Sequence, residues 1–156
     1  MTIFFYNPNI YPRDEYEHRK SEVIRLANLY GIPFIDTDYT PADYLDRVKG
    51  FELCPERGER CSICFSLRLM KTALYAKSHG FDYFTSTLGF SRWKDLAQVD
   101  SCGTKVSENT GVKYLPVNWR KCGIQERAHK VIHDNQIYEQ NYCGCIYSYN
   151  ATKAKK

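Results

Sequence analysis

The sequence predicts an α/β fold, with a mostly parallel open sheet flanked by helices. Three observations predict it. Short apolar runs alternate with longer stretches at helical spacing, the pattern of repeated β–α–β units. The first run, Ile3 to Tyr6, is unbroken, as expected of a strand buried on both faces. The 156 residues, 43% hydrophobic and 26% charged, suit one globular domain with a sizeable core. The expected boundaries are a single domain over residues 1–150 and a flexible basic tail over 151–156.

Taken in order, the first strand ends where Asn7-Pro8-Asn9 and Tyr11-Pro12 impose a loop. A helix follows from about Arg13 to Tyr30, its inner face marked by Tyr16, Val23, Leu26, Ala27 and Tyr30. Gly31 stops it. Pro33 to Asp36 is a second strand, and Pro41 to Val48 a short helix. Phe51 to Glu59, charged and broken by Pro55 and Gly58, is a loop. Ile63, Leu67, Met70 and Leu74 then mark a helix to about Ser78, apolar nearly all round and so buried. Tyr83 to Thr87 is a third strand, residues 95–109 a helix, and Val112 to Val117 a fourth strand. A helix spans about Gln125 to Asp134, and Tyr142 to Tyr147 carries the last chemical motif.

Composition excludes several classes. No segment approaches the run of about 20 apolar residues that a membrane span requires. The N-terminal stretch lacks the basic start and apolar core of a secretory signal, so the expected location is the cytoplasm. There, clustered thiols bind metal or do redox work more often than they form structural bridges. Net charge is +4, which permits an RNA partner without demonstrating one. Aromatics reach 15%, with 13 Tyr, and exposed rings can stack on unpaired bases, although packing in the core is the commoner use.

Two cysteine pairs carry the chemistry. Cys61-Ser-Ile-Cys64 has the spacing that lets two thiolates converge on one metal or one iron–sulfur cluster. It opens the buried helix, where the positive end of the helix dipole favours thiolate, and Arg60 and Arg68 add positive charge. Cys143-Gly-Cys145 is too tight for an ordinary structural bridge. It reads as a ligand pair or as a strained disulfide that opens and closes readily. If the pairs met, they would make a four-thiolate site for zinc or for an iron–sulfur cluster, and spacing alone does not choose. Cys54, Cys102 and Cys122 have no paired spacing, and the four histidines show no ligand geometry.

Two loops after strands, Ser91-Arg-Trp-Lys-Asp and Asn118-Trp-Arg-Lys, each set a tryptophan beside cations. Ligands of open α/β sheets bind at such strand ends, and this pairing suits a phosphate and an unstacked base. Trp93, Lys94, Trp119 and Arg120 are therefore candidate substrate-binding residues, weighed against ordinary solvated loops.

Together these stretches resemble the cobalamin-independent epoxyqueuosine reductases, the QueH family. The similar segments are TIFFYNPNIYP with EYEHRK, ERGERCSICFSLRL with TALYA, TSTLGFSRWKD, NWRK and the closing YEQNYCGCIYS. The resemblance implies a cytoplasmic oxidoreductase that removes the epoxide oxygen of epoxyqueuosine by two-electron reduction, the last step of queuosine biosynthesis. The implied partner is tRNA carrying the modified base at the anticodon wobble position, together with an unidentified electron donor and no membrane. It implies that Cys61 and Cys64 ligate a [4Fe–4S] cluster, with room for an additional iron, and that Cys143 and Cys145 form a redox-active pair. It places Trp93, Lys94, Trp119 and Arg120 near the anticodon loop. The implied fold is similar to PP-loop and nucleotide-hydrolase sheets.

The chain departs from the family at its start. Family members open with a strand ending in a Cys-Cys motif that supplies the remaining cluster ligands, and here Met1 stands at the second strand. That strand lies centrally in the family's sheet, so two unjoined groups of strands are expected, with the further ligands upstream of Met1 through an earlier start or a truncation. The readings outside the reductase class are a non-catalytic zinc-stabilised RNA-binding module, an inactive fragment, and a thiol–disulfide oxidoreductase for protein substrates.

Overall fold

The computed structural model describes residues 1–91 and 94–154. These contain four short strands and six helices, in the order β1 (Ile3–Phe5), α1 (Arg13–Leu29), β2 (Phe34–Asp36), α2 (Pro41–Arg47), α3 (Glu59–Ser78), β3 (Tyr83–Phe84), α4 (Leu96–Thr110), β4 (Lys113–Tyr114), α5 (Ile124–Asp134) and α6 (Ile146–Lys153). A 3₁₀ turn, Leu88–Phe90, lies between β3 and α4. No helix among the described residues is long and apolar enough to cross a membrane.

Two compact units result: Met1–Arg47 with Asn135–Lys156, and Val48–Asp134. In the first, β1 and β2 pair in parallel, Ile3 opposite Phe34 and Phe5 opposite Asp36, with α1 as the crossover. The core here is small. Phe5, Ile10 and Tyr16 are buried together, with Val23, Phe34 and Tyr39 packed against them. Tyr16 stacks on Tyr39 with ring centroids 4.2 Å apart and tilts against Phe5 at 5.5 Å. The inner face expected of α1 holds at Tyr16 and Ala27, which are buried, but Tyr30 lies past the helix end and is exposed. β1 is less enclosed than its unbroken apolar run predicts. Only Phe5 is buried, in the cluster with Ile10 and Tyr16, while Ile3 and Phe4 stay half-buried.

In the second unit α4 is the crossover between parallel β3 and β4, and Tyr83 stands opposite Lys113. Phe65, Leu69, Ala73 and Ala76 from α3 meet Val99, Cys102 and Val106 from α4 over Phe84 and Val112. Each large side chain so buried contributes about 1.5–3 kcal/mol. Asp95 caps α4 by accepting from the backbone N–H groups of Ala97 and Gln98, and Gly111 ends the helix in the left-handed region at φ 79°. α3 is buried along one stripe rather than all round: Leu74 is half exposed, because α4 and β3 cover a single side.

The strands are shorter than their apolar runs. Each has one hydrogen-bonded neighbour, so Thr85 and Leu115 extend the β3–β4 pairing only through single bonds. The two pairs are not joined into one sheet among the described residues. At the far end, residues expected in a frayed tail continue α6 through Ala151, Thr152 and Lys153.

Candidate functional site

Each unit carries one cysteine pair. Cys61 and Cys64 lie one turn apart on the first two turns of α3, Cys61 half-buried and Cys64 buried. Gly58 starts the helix without a side-chain cap, so first-turn N–H groups look to other acceptors. The Arg57 backbone N–H points at Cys61 Sγ from 3.3 Å. Arg60, which the sequence marks only as nearby charge, is buried, and its guanidinium donates to the carbonyls of Phe51 (3.2 Å) and Glu52 (2.7 Å). It ties the preceding loop to the helix start. Gln98 reaches the same place from α4, with Nε2 2.7 Å from Ser62 Oγ.

Cys143-Gly144-Cys145 is held in the first unit by donors aimed at its backbone. Tyr11 N–H donates to Gly144 O at 2.8 Å. Arg19, paired with Glu15 at 2.7 Å, turns its guanidinium toward the carbonyls of Tyr142 and Cys143, each 3.4 Å away, and over the Tyr142 ring. Tyr138 donates its hydroxyl to Glu15, and Cys143 N–H donates to Ser148 Oγ. Cys145 caps α6, its sulfur accepting from the Ser148 N–H at 3.5 Å. That position exposes the sulfur to the positive end of the helix dipole, which favours thiolate. Burial pushes the Tyr142 phenol up to about 12, with the Glu15 carboxylate adding to the effect, so the ring beside the pair stays neutral. None of the seven cysteines is in a disulfide.

The loop residues fall together within the second unit. Trp119 donates its indole N–H to Ser86 O at 2.7 Å, and Arg120 donates to Gly89 O at 2.8 Å and to Lys94 O at 2.9 Å. Lys94 Nζ sits 5.5 Å from the centre of the Phe65 ring, next in sequence to Cys64. The polar atoms of Trp119 and Arg120 are thus engaged with the backbone of the 86–94 loop, and both residues shape it. Trp93 lies outside the described residues.

Sequence reasoning missed Arg19, Glu15 and Gln98. The Glu15–Arg19 spacing of four was legible as a helical ion pair. That the pair faces Cys143, distant in sequence, required the fold. Asn9 was missed too. It is buried beside Gly144, and its Oδ1 has no hydrogen-bond partner.

As a ligand set, Cys61 and Cys64 fit half of a four-cysteine cluster: two thiols one helical turn apart, one already accepting an N–H bond. Among the described residues no group of three or more His, Cys, Asp or Glu is placed to hold a metal ion.

Comparison with known proteins covers the region just described. The family model described as epoxyqueuosine reductase QueH matches residues 1–151. A Haemophilus influenzae protein named epoxyqueuosine reductase QueH is 51% identical over 149 residues, covering 95% of this chain and 61% of the relative. A Histophilus somni protein of the same name is 50% identical, covering 97% and 63%. One from Thermotoga maritima is 35% identical, covering 94% and 78%. The chain thus spans less than two thirds of the length of the Haemophilus and Histophilus relatives. With both cysteine pairs and both loops inside the matched region, the chain belongs to the epoxyqueuosine reductase QueH family.

Proposed function

We propose that the chain takes part in the reduction of epoxyqueuosine to queuosine at the wobble position of tRNA in the cytoplasm. The observation that supports this best is the family match over residues 1–151, which includes both thiol pairs.

In this reading Cys61 and Cys64 supply two ligands of a [4Fe–4S] cluster, and a segment N-terminal to β1 supplies the others. When bound, the cluster would supply electron transfer, and an additional iron beside it would polarise the epoxide oxygen. Cys143 and Cys145 are the reducing couple. Their two thiols become one disulfide and release two electrons and two protons. The epoxide takes up both, its two C–O bonds break, and it leaves an alkene and water. An external donor then returns two electrons and two protons to the pair. Arg19, Tyr11 and Ser148 hold the backbone of the pair, so the disulfide forms and opens on a fixed segment. Lys94, together with the loop that Trp119 and Arg120 shape, contacts the anticodon stem-loop.

The test is mass analysis of tRNA nucleosides from a bacterial strain lacking its own epoxyqueuosine reductase. Supplying a gene that encodes this chain together with the proposed segment N-terminal to β1 is expected to convert epoxyqueuosine to queuosine, and supplying its Cys145→Ser variant is expected to leave the epoxide. Epoxyqueuosine that persists with the unaltered gene contradicts the proposal. Purified protein carrying stoichiometric zinc and no iron contradicts its redox part.

A further inference from the structure

Arg57 adopts φ 67°, in the left-handed region that side-chain-bearing residues rarely enter. A conformation of that kind persists only where its surroundings fix it. Part of the surroundings here comes from a side chain on another helix. Gln98 Nε2 lies 3.0 Å from Arg57 O, 3.1 Å from Gly58 O and 2.7 Å from Ser62 Oγ. Carbonyls only accept, so the two of them fix which way the amide is turned. The opposite atom, Oε1, is buried with no hydrogen-bond partner. A buried amide oxygen left unpaired is unfavourable, so the three contacts on the other side are what keep Gln98 in place.

Those contacts bracket Cys61. Arg57 and Gly58 precede it, Ser62 follows it, and the turn they define aims the Arg57 N–H at Cys61 Sγ. An N–H donated to a ligating thiolate draws charge from the sulfur. That favours the more negative, reduced form of any cluster the sulfur holds, and hydrogen bonds to sulfur are among the means by which proteins set cluster potentials.

We propose that Gln98 is a positioning residue for Cys61: by pinning Arg57 O and Gly58 O it keeps the Arg57 N–H on the sulfur and holds the cluster potential up. The proposal rests on the reading of Cys61 as a cluster ligand. A helix-to-loop tie alone also predicts lost stability on truncation, so stability does not discriminate. Potential and amide exchange do.

The experiment compares wild-type protein that carries the proposed segment N-terminal to β1 with its Gln98→Ala and Gln98→Met variants, the latter keeping the side-chain length. In reduced, metal-free protein, hydrogen exchange at the Arg57 amide is expected to quicken about five- to ten-fold in both variants, the loss of roughly one hydrogen bond. In anaerobically reconstituted protein, iron content is expected to stay at the wild-type level. The cluster midpoint, followed by redox titration with electron paramagnetic resonance, is expected to move to more negative potential. Unchanged exchange at Arg57 overturns the proposal, because Gln98 then does not hold that amide. Quickened exchange with an unchanged midpoint overturns its redox half. A wild-type chain that binds no iron under these conditions overturns the cluster reading itself, and the exchange measurement then decides alone whether Gln98 aims the Arg57 amide.

Discussion

Replacing Gly144 by alanine tests how tightly the Cys143–Cys145 segment is held. Gly144 sits at φ 120°, where a residue with a Cβ carries about 1–3 kcal/mol of backbone strain. The added Cβ would stand 2.9 Å from Arg19 Nη1, 3.4 Å from Ile10 Cγ1 and 3.5 Å from Asn9 Nδ2. The guanidinium end is the part able to move. Moving it gives up the contacts to Tyr142 O and Cys143 O, which at 3.4 Å are long, and so about 1 kcal/mol in all. Together these make Gly144→Ala destabilising by about 2–4 kcal/mol. Urea unfolding followed by circular dichroism measures this directly. The double variant Gly144→Ala/Arg19→Ala removes the clash but not the backbone strain, so in a double-mutant cycle the two changes are expected to be less than additive. A loss below about 0.5 kcal/mol for Gly144→Ala, the range of ordinary surface changes, would refute the account of this segment as tightly cradled.

Three further outcomes are expected. A Cβ at Gly103 would lie 2.5 Å from the Tyr114 ring, which Asp100 anchors through the hydroxyl, so Gly103→Ala is expected to lose about 1–3 kcal/mol or more in urea unfolding. Arg120→Ala leaves the carbonyls of Gly89 and Lys94 without their donor, so limited proteolysis of the 86–94 loop is expected to accelerate while cleavage at α1 stays unchanged. Burial, reinforced by the hydrogen bond to Asp43, pushes the Tyr6 phenol from 10.0 to about 12. Since the folded value is the higher one, the native state holds its proton longer. The contribution of Tyr6 to stability is therefore flat below pH 10 and falls as pH rises toward 12, a slope that Tyr6→Phe is expected to remove from pH-dependent unfolding.

What the sequence made legible was whatever rests on local patterning. α4 was visible in its apolar spacing and in Gly111, and α3 in its run to Ser78. Cys61 and Cys64 were visible because two cysteines three apart at a helix start are a local motif. α6 was hidden. Ile146 to Lys153 has weak amphipathic spacing, and its start is capped by a cysteine sulfur, which no capping rule anticipates. Strand lengths were overestimated because apolar runs report burial, whereas pairing depends on a neighbour far along the chain. Trp119 and Arg120 show the same limit. An aromatic beside a cation reads as a ligand-binding pair, but their polar atoms meet loop carbonyls that only the fold brings near. Arg19 and Gln98 act on cysteines 124 and 37 positions away, respectively, so their roles were not written in any local stretch.

On the proposed function the two cysteine pairs do different work, Cys61 and Cys64 as cluster ligands and Cys143 and Cys145 as a redox couple. Iron analysis with Mössbauer spectroscopy decides this on anaerobically reconstituted protein that carries the proposed segment N-terminal to β1, as wild type and as Cys61→Ser, Cys64→Ser, Cys143→Ser and Cys145→Ser variants, with turnover of epoxyqueuosine tRNA measured alongside. The account predicts that the first two variants lose the [4Fe–4S] signal, while the last two keep it and lose turnover. Loss of iron in all four variants would contradict it, because the four sulfurs would then be ligands of one site.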